Sequence, residues 1–249
     1  MRIVTWNCNG ALRKKSNALS GLNADVVIVQ ECENPEQSTN TYQEWAQNYL
    51  WAGQNKNKGI GVFAKPGVQL DQLDWQGEFA LEGLKSSSPA LQWQTTDLQL
   101  FIPFQINQTL TVLAVWTKGQ DDQVFGYMGQ FWKYLQIHSD QLSHPNTIIA
   151  GDFNSNKQWD KSDRWWNHSS VVDELLELGI QSLYHKQTSL AQGDEQEKTF
   201  YHQRKLEKGY HIDYIFQSKD LLDQSTLVVG HPKDWLELSD HMPLICDID

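Results

Sequence analysis

The sequence predicts an α+β protein in which two β-sheets pack against each other and helices cover them on the outside. Short apolar runs rich in valine and isoleucine recur along the whole chain, and segments with helical spacing lie between some of them. Other strands follow one another directly, as at 98–106 and 110–116, and this mixture suits two packed sheets. A single α/β sheet covered on both faces is the close alternative that the pattern leaves open.

The predicted strands are short runs enriched in β-branched residues, which is typical of buried strands. They cover residues 2–8, 25–31, 59–64, 98–106, 110–116, 147–152, 211–216, 226–229 and 243–248. The predicted helices cover residues 15–22, 42–50, 125–142 and 171–178. The last of these helices stops at Gly179, a residue type that commonly ends helices.

Composition limits the class of protein. The chain has 249 residues, with 39% hydrophobic and 11% aromatic residues, which excludes a disordered chain. No linker or low-complexity tract divides it, so we expect a single domain over residues 1–249. No apolar run approaches the ~18 residues that span a bilayer, so no membrane is expected. The net charge of −11 argues against a protein that coats DNA, but not against an enzyme that meets phosphate through a metal ion.

The three cysteines, Cys8, Cys32 and Cys246, form no CxxC pair. This spacing favours buried thiols over a zinc site or a disulfide framework. The chain enters a strand-like run at Met1 with no basic, then apolar, leader, so we expect a cytoplasmic protein. A monomer is assumed.

Polar residues interrupt the apolar runs at the predicted strand ends. A carboxylate that follows four apolar residues is costly to bury unpaired, so Glu31 and Asp152 are expected to face partners or a metal. The whole set contains carboxylates, amides and one imidazole: Asn7, Glu31, Asp152, Asn154, Asp213, Asp240 and His241. Oxygen ligands with open positions suit Mg²⁺, with Mn²⁺ as a substitute, better than Zn²⁺.

Five motifs in order, WNCNG, VVIVQE, GDFNS, HIDYIF and SDHMPL, resemble those of the endonuclease/exonuclease/phosphatase superfamily, which includes DNase I and the exonuclease III-type abasic-site endonucleases. One such motif arises easily by chance, whereas five in order are specific. The resemblance spans residues 1–249. It implies a four-layer α/β/β/α sandwich with two mainly antiparallel sheets, an active site at one end of the sheets, and Mg²⁺-assisted hydrolysis of phosphoesters.

The resemblance also implies a metal site. Glu31 would be a metal ligand, and Asp240 would bind the metal directly or orient a ligand through water. Asn7 would support the metal or an adjacent phosphate oxygen. The alternatives are ordinary ones, since a solvated strand end accounts for Glu31 and a turn cap for Asn7.

The same resemblance assigns the chemistry to four residues. Asp152 would orient or deprotonate the attacking water, and Asn154 would hold the phosphate or that water. His241 would donate a hydrogen bond to a phosphate oxygen, with Asp213 holding the ring in place. Because a carboxylate favours the charged form of a neighbouring imidazole, we expect His241 to be cationic at neutral pH. The alternative for GDFN is an Asx-turn at a strand end.

The sequence departs from its relatives at Trp116, where the nuclease branches carry a catalytic Tyr or His. An indole cannot act as a general acid at neutral pH, so protonation of the leaving group falls to another residue or to metal-bound water. Lys118 and Tyr127 are the candidates among the side chains. A packed Trp and a solvated Lys are the alternative reading.

Four further residues are candidates for substrate binding. Phe200 and Tyr210 lie in a stretch that resembles the one where abasic-site endonucleases form an apolar pocket, although ordinary core aromatics are the favoured interpretation. Arg164 lies in a segment that mixes basic and aromatic residues, which suits stacking on bases and contact with phosphates. His211 lies two residues from Asp213 and is expected to face the same cleft.

These observations favour a metal-dependent nuclease acting on DNA or RNA. The alternative is a phosphoesterase for a nucleotide-like or other small phosphorylated molecule. An inactive binding protein is less favoured, because Asn7, Glu31, Asp152 and the other motif residues are all present.

Overall fold

The computed structural model describes residues 1–83, 85, 88–119 and 124–249. Its strands are β1 (Arg2–Asn7), β2 (Val26–Cys32), β3 (Asn48–Asn55), β4 (Lys58–Ala64), β5 (Leu70–Gln72), β6 (Glu78–Ala80), β7 (Gln92–Gln94), β8 (Phe101–Ile106), β9 (Leu110–Trp116), β10 (Thr147–Asp152), β11 (Ile180–Ser182), β12 (Phe200–Tyr201), β13 (Gly209–Tyr210), β14 (Asp213–Ser218), β15 (Ser225–Val229) and β16 (Leu244–Ile248).

Two six-stranded sheets form the centre of the molecule. The first has the order β15-β16-β1-β2-β4-β3, and the second has the order β11-β14-β10-β9-β8-β5. Neighbouring strands are antiparallel except for the parallel pairs β1–β2 and β9–β10. Two small hairpins, β6–β7 and β12–β13, stand apart from the sheets.

The two sheets share one apolar core. Alternating side chains of β1, β2 and β4 in the first sheet pack against those of β9, β10 and β14 in the second, and Ile28, Val112 and Ile148 are representative members. Because side chains of a strand alternate between its two faces, the remaining apolar residues of each sheet point outwards and need a cover.

Helices provide that cover. They are α1 (Ser16–Ser20), α2 (Asn40–Ala46), α3 (Met128–Leu142), α4 (His168–Glu177), α5 (Leu183–Thr188), α6 (Lys219–Leu222) and α7 (Pro232–Trp235). Residues of α1, α2 and α7 pack on the outer face of the first sheet, and residues of α3 and α4 pack on the outer face of the second. The predicted α+β class and the four layers, helix, sheet, sheet, helix, are confirmed.

One predicted helix is too long. The pattern predicts a helix over residues 42–50, whereas α2 ends at Ala46 and the edge strand β3 begins at Asn48. Leu50 and Ala52 of this strand pack against the core between the sheets, whereas Tyr49 and Trp51 pack on its outer face. Apolar side chains therefore continue past Ala46 on both faces, without the polar alternation that would mark a new strand.

Within the described ranges, no helix combines the length and apolar character that a membrane span requires. The single domain over residues 1–249, the monomer and the cytoplasmic location stay predictions.

Candidate active site

The polar residues at the strand ends come together where the two sheets meet. Asn7 ends β1 next to the end of the parallel strand β2, which carries Glu31. In the second sheet, β10 lies between β9 and β14, so Asp152 is opposite Trp116 on one side and Asp213 on the other. The fold therefore brings motifs that are far apart in sequence to one end of the sandwich.

Asp152 is fully buried and accepts hydrogen bonds from three donors. Asn7 Nδ2 donates at 2.9 Å, the backbone N–H of Asn154 at 2.8 Å and Asn154 Nδ2 at 3.0 Å. The bond from Asn7 crosses from the first sheet to the second. Burial, followed by the charge of Asp213, raises the pKa of Asp152 to about 7, so this carboxyl group can take up and release a proton near neutral pH.

His241 forms a buried pair with Asp213. Its Nδ1 lies 3.1 and 3.0 Å from the two carboxylate oxygens of Asp213. One ligand atom from each of Asp152, Asp213 and His241 lies within 4.8 Å of the others. Burial alone would lower the pKa of His241, but the charges of Asp213 and Asp152 outweigh it and raise this pKa to about 9. The ring is therefore an imidazolium at neutral pH.

The backbone around His241 is tied to the first strand. Ser239 Oγ donates to the carbonyl of Asn7 at 2.7 Å and accepts from the N–H of His241 at 3.0 Å. Trp6 Nε1 donates to the carbonyl of His241 at 2.9 Å. The ring of Phe200 lies against the imidazole, with the ring centroids 4.7 Å apart. These contacts fix the direction of the imidazole before any substrate is present.

Glu31 lies at a β-bulge on the rim of the site. The register between β2 and β4 shifts between Gln30 and Cys32, and Glu31 itself has a φ of 64°. A bulge turns a side chain out of the regular alternation of its strand. The Glu31 side chain is 19% exposed, and its Oε2 lies 2.8 Å from Nζ of Lys58. Asp240 is half-buried next to His241, and its charge is one of those that raise the pKa of His241.

Trp116 forms the wall of the site between Asp152 and two lysines. Its side chain is 2% exposed. Nζ of Lys118 lies 4.9 Å from the centroid of the indole, and Nζ of Lys58 lies 5.7 Å from it. These distances are in the range of cation–π contacts, so the indole holds two positive charges at the edge of the cleft.

Aromatic side chains line the cleft on its other side. Phe200 is paired with Tyr210 across the β12–β13 hairpin, and Tyr210 contacts Trp159 with a centroid separation of 5.3 Å. A cavity of about 390 Å³ extends from here, and its lining includes Asn154, Trp159, Arg164 and Phe200. Arg164 is exposed. The cavity opens beside Asn154 and therefore beside the buried carboxylate.

No family model matches the chain, and no curated protein matches it in sequence. Solved structures do match. The 3′ phosphatase NExo from Neisseria, bound to a product DNA hairpin, has a TM-score of 0.68 and 20% identity, over 100% of this chain and 99% of that one. An AP endonuclease from Archaeoglobus fulgidus has a TM-score of 0.65 and 18% identity, over 100% and 99%.

The catalytic domain of APE2 from Xenopus laevis is similar over 100% of this chain and 91% of that one, with a TM-score of 0.61 and 16% identity. The chain has the DNase I-like fold that these structures share. The residues of the five motifs lie at one end of the two sheets, at the carboxyl ends of β1, β2 and β10 and at the amino ends of the antiparallel strands β14 and β16.

One sequence-predicted residue lies outside the cleft of this DNase I-like fold. His211 is 1% exposed, and its Nδ1 lies 2.8 Å from the carbonyl oxygen of Glu197. Its ring packs against Tyr184 and Tyr214 in the interior. The expectation that His211 contacts substrate does not fit this placement, because its ring is buried and His211 lies before β14, which begins at Asp213.

Sequence reasoning also missed residues of the site. Lys58 belongs to none of the five motifs, but it pairs with Glu31. Thr199 Oγ1 accepts hydrogen bonds from the N–H groups of Ile212 and Asp213 at 2.9 and 3.0 Å, and so positions Asp213. Of Lys58, Thr199 and Ser239, only Ser239 could have been found from the sequence, because it directly precedes Asp240 and His241 in the motif SDHMPL.

Proposed function

We propose that the chain is a divalent-metal-dependent phosphoesterase, and specifically a nuclease that hydrolyses phosphodiester bonds of DNA or RNA. The observation that carries this proposal is the buried cluster of Asp152, Asp213 and His241, in which a carboxyl group that titrates near pH 7 lies beside an imidazolium. Such a pair provides a base for water and a positive hydrogen-bond donor for phosphate in a site shielded from solvent.

The residues on the rim fit a divalent cation. Glu31 offers a partly exposed carboxylate that already holds a positive group, the ammonium of Lys58. His241 does not suit a metal, because a protonated imidazole has no free lone pair for coordination. We therefore assign Glu31 as a metal ligand, supported by Asp240 and the amide of Asn7. Mg²⁺ is the proposed ion, with Mn²⁺ as a substitute, since both prefer oxygen ligands.

The protein groups have separate tasks in the proposed mechanism. Asp152 orients the attacking water and accepts its proton, while Asn7 and Asn154 hold the carboxylate in place through the hydrogen bonds described above. Asp213 fixes Nδ1 of His241, which leaves Nε2–H to donate to a phosphate oxygen. A bound divalent ion neutralises charge on the phosphate and stabilises the leaving oxygen. Trp116 packs the wall and donates no proton at neutral pH.

Nucleic acid is the proposed substrate because of the shape of the cleft. Its aromatic side, formed by Phe200, Tyr210 and Trp159, suits stacking on bases, and Lys118 and Arg164 are positioned at the cleft to meet backbone phosphates. The similar solved structures support this class, since NExo is bound to a product DNA hairpin and the Archaeoglobus protein is an AP endonuclease.

A small phosphorylated substrate is the second candidate. The net charge of −11 favours it, because a polyanion gains affinity from neutralising several phosphates on a basic surface. The two candidates differ in salt dependence. Activity on a nucleic acid falls steeply as salt rises, whereas activity on a small substrate stays nearly flat.

The decisive experiment is an activity panel with purified protein in Mg²⁺, Mn²⁺ or EDTA. The substrates are plasmid DNA, a duplex with an abasic site, a 3′-phosphorylated DNA hairpin, single-stranded RNA and a chromogenic phosphodiester. Hydrolysis that needs the metal and is abolished in Glu31→Gln and Asp152→Asn supports the proposal. No hydrolysis of any substrate by a folded protein, or full activity in EDTA, overturns it.

A further inference from the structure

The ion pair between Lys58 and Glu31 is a fixed part of the fold. Lys58 is the first residue of β4, and it pairs with Asn55 of β3 across a two-residue turn. The next residue, Gly59, lies opposite Cys32 of β2, so Lys58 is held beside the bulge that carries Glu31. The two charged groups therefore meet because of strand register.

Two further contacts lock this hairpin against β2. The indole of Trp51 covers Gly59 so closely that a Cβ at Gly59 would lie 2.4 Å from Cζ2 of Trp51. The N–H of Asn34 donates to the carbonyl of Lys56 at 2.8 Å. The backbone of Lys58 is therefore held beside Glu31, and only the flexible side chain of Lys58 can move.

We propose that Lys58 is an exchangeable internal cation: it occupies the Glu31 carboxylate when no metal is bound, and a divalent metal displaces it. This inference rests on the proposed function, because it takes Glu31 as a metal ligand. A divalent ion and an ammonium group repel each other at one carboxylate. Metal binding therefore frees the Lys58 amine, and the amine weakens metal binding by the same competition.

The displaced Lys58 amine can move towards the Trp116 indole or into solvent. Nζ of Lys58 already lies 5.7 Å from the indole of Trp116, and Nζ of Lys118 lies 4.9 Å from the same ring. The Lys58 side chain is 47% exposed, so its amine can turn to solvent without breaking the core. The Lys58 amine would then be free to contact a substrate phosphate only in the metal-bound protein.

The first test measures Mn²⁺ and Mg²⁺ affinity by calorimetry in the absence of substrate. Lys58→Met removes the competing charge and is expected to lower the metal Kd about tenfold, equal to about 1.4 kcal/mol. Lys58→Arg keeps the charge and should keep the wild-type Kd. Lys56→Met removes one charge from the exposed turn next to Lys58 and serves as the matched control, with an unchanged Kd.

The second test follows the amine itself. Wild-type protein is treated with an amine-acylating reagent with and without Mn²⁺, and labelling of each lysine is measured by mass spectrometry. Metal is expected to increase labelling of Lys58 several-fold and to leave Lys56 unchanged. Labelling of Lys58 that stays constant or falls on metal addition overturns the exchange, as does a Kd for Lys58→Met that is unchanged or weaker.

The variant Glu31→Gln separates this inference from the function on which it rests. If Glu31→Gln weakens metal binding while Lys58→Met does not strengthen it, the exchange is wrong and the proposed metal site stands. If Glu31→Gln leaves metal binding intact, Glu31 is not a ligand and both proposals fail. Circular dichroism of each variant confirms that the comparison is made on folded protein.

Discussion

Within the described residues, two imidazoles pair with a buried carboxylate, and the two pairs differ in the charge around that carboxylate. In the candidate site, Nδ1 of His241 lies 3.0 Å from Asp213. In the second pair, Nε2 of His185 in α5 lies 3.1 Å from Oε1 of Glu195, which precedes β12. Both imidazole–carboxylate pairs have similar geometry, so geometry alone does not identify the reactive one.

The surroundings of the carboxylates separate the two regions. Burial raises the pKa of Glu195, but hydrogen bonds from His185 and from the N–H of Gly193 outweigh burial and lower this pKa to about 2. Asn156 also donates to Glu195, at 3.1 Å. The candidate site instead holds a second buried carboxylate, Asp152, whose pKa rises to about 7. Both carboxylates accept several hydrogen bonds, but only Asp152 has a second buried carboxylate, Asp213, beside it. A single paired carboxylate stabilises the fold, whereas two carboxylates buried in one cluster are suited to chemistry.

The largest expected effect comes from making one substitution in both regions. His241→Gln should reduce phosphoesterase activity about a thousandfold, because it removes the cationic donor beside Asp152. His185→Gln is the matched control, which should keep activity within about threefold while lowering the free energy of unfolding by about 1–3 kcal/mol. Steady-state kinetics and urea unfolding measure the two quantities.

An equal loss of activity in His241→Gln and His185→Gln would contradict the comparison. It would mean that the region around His185 also supports catalysis, through Asn156 and the loop that follows β10.

The next effect concerns stability at acid pH. Burial lowers the pKa of His211 to about 4, below its value of about 6.5 in an unfolded chain. Between these values the unfolded chain binds a proton that the folded chain does not, so the free energy of unfolding falls as pH falls from about 6.5 to about 4, by roughly 3 kcal/mol. Urea unfolding at several pH values should show this slope in wild-type protein and a flatter one in His211→Phe.

His241 makes the opposite contribution. Its folded pKa of about 9 lies above the unfolded value, so its contribution to stability is present below about pH 6.5 and is lost as pH rises through about 9.

The acid-pH prediction for His211 has a clear contrary outcome. If the free energy of unfolding of His211→Phe fell between about pH 6.5 and 4 as steeply as that of wild-type protein, other groups would be responsible for the slope.

The smallest effect is a shift in a pH profile. Activity should fall as pH rises through about 9, where His241 loses its proton. Asp213→Asn removes the nearest charge that raises this pKa, so the alkaline limb should move down by about one pH unit or more. The measurement is kcat/KM from pH 7 to 10 at saturating metal. An unmoved limb would show that another group controls it.

Much of the fold and site could be predicted from the sequence, because apolar runs that end in a polar residue are visible without a structure. Asp152 after TIIAG and Glu31 after VVIVQ are such cases, and the structure places both at strand ends around the cleft. The two packed sheets could be predicted for the same reason, since their central strands β1, β2, β4, β9, β10 and β14 are almost entirely buried.

Other features depend on pairing between distant segments and leave no local pattern. The contact of Lys58 with Glu31 requires the register of β4 on β2, and the bonds of Glu195 to His185 and Asn156 join three separate segments. The edge strand β3 was missed because its apolar residues lie on both faces and directly follow those of α2. The spacing of His211 and Asp213 predicted a shared face, but only Asp213 belongs to the strand.

The pairing of β1 with β16 has a consequence for the newly made protein. Arg2 lies opposite Asp247 in the first sheet, and β1 also contributes Asn7 to the site. A chain leaving the ribosome exposes β1 early but cannot complete its sheet until β16 and the preceding His241 have emerged. Contacts so distant in sequence form late and slowly. The reaction centre therefore cannot assemble on the nascent polypeptide before β16 has emerged.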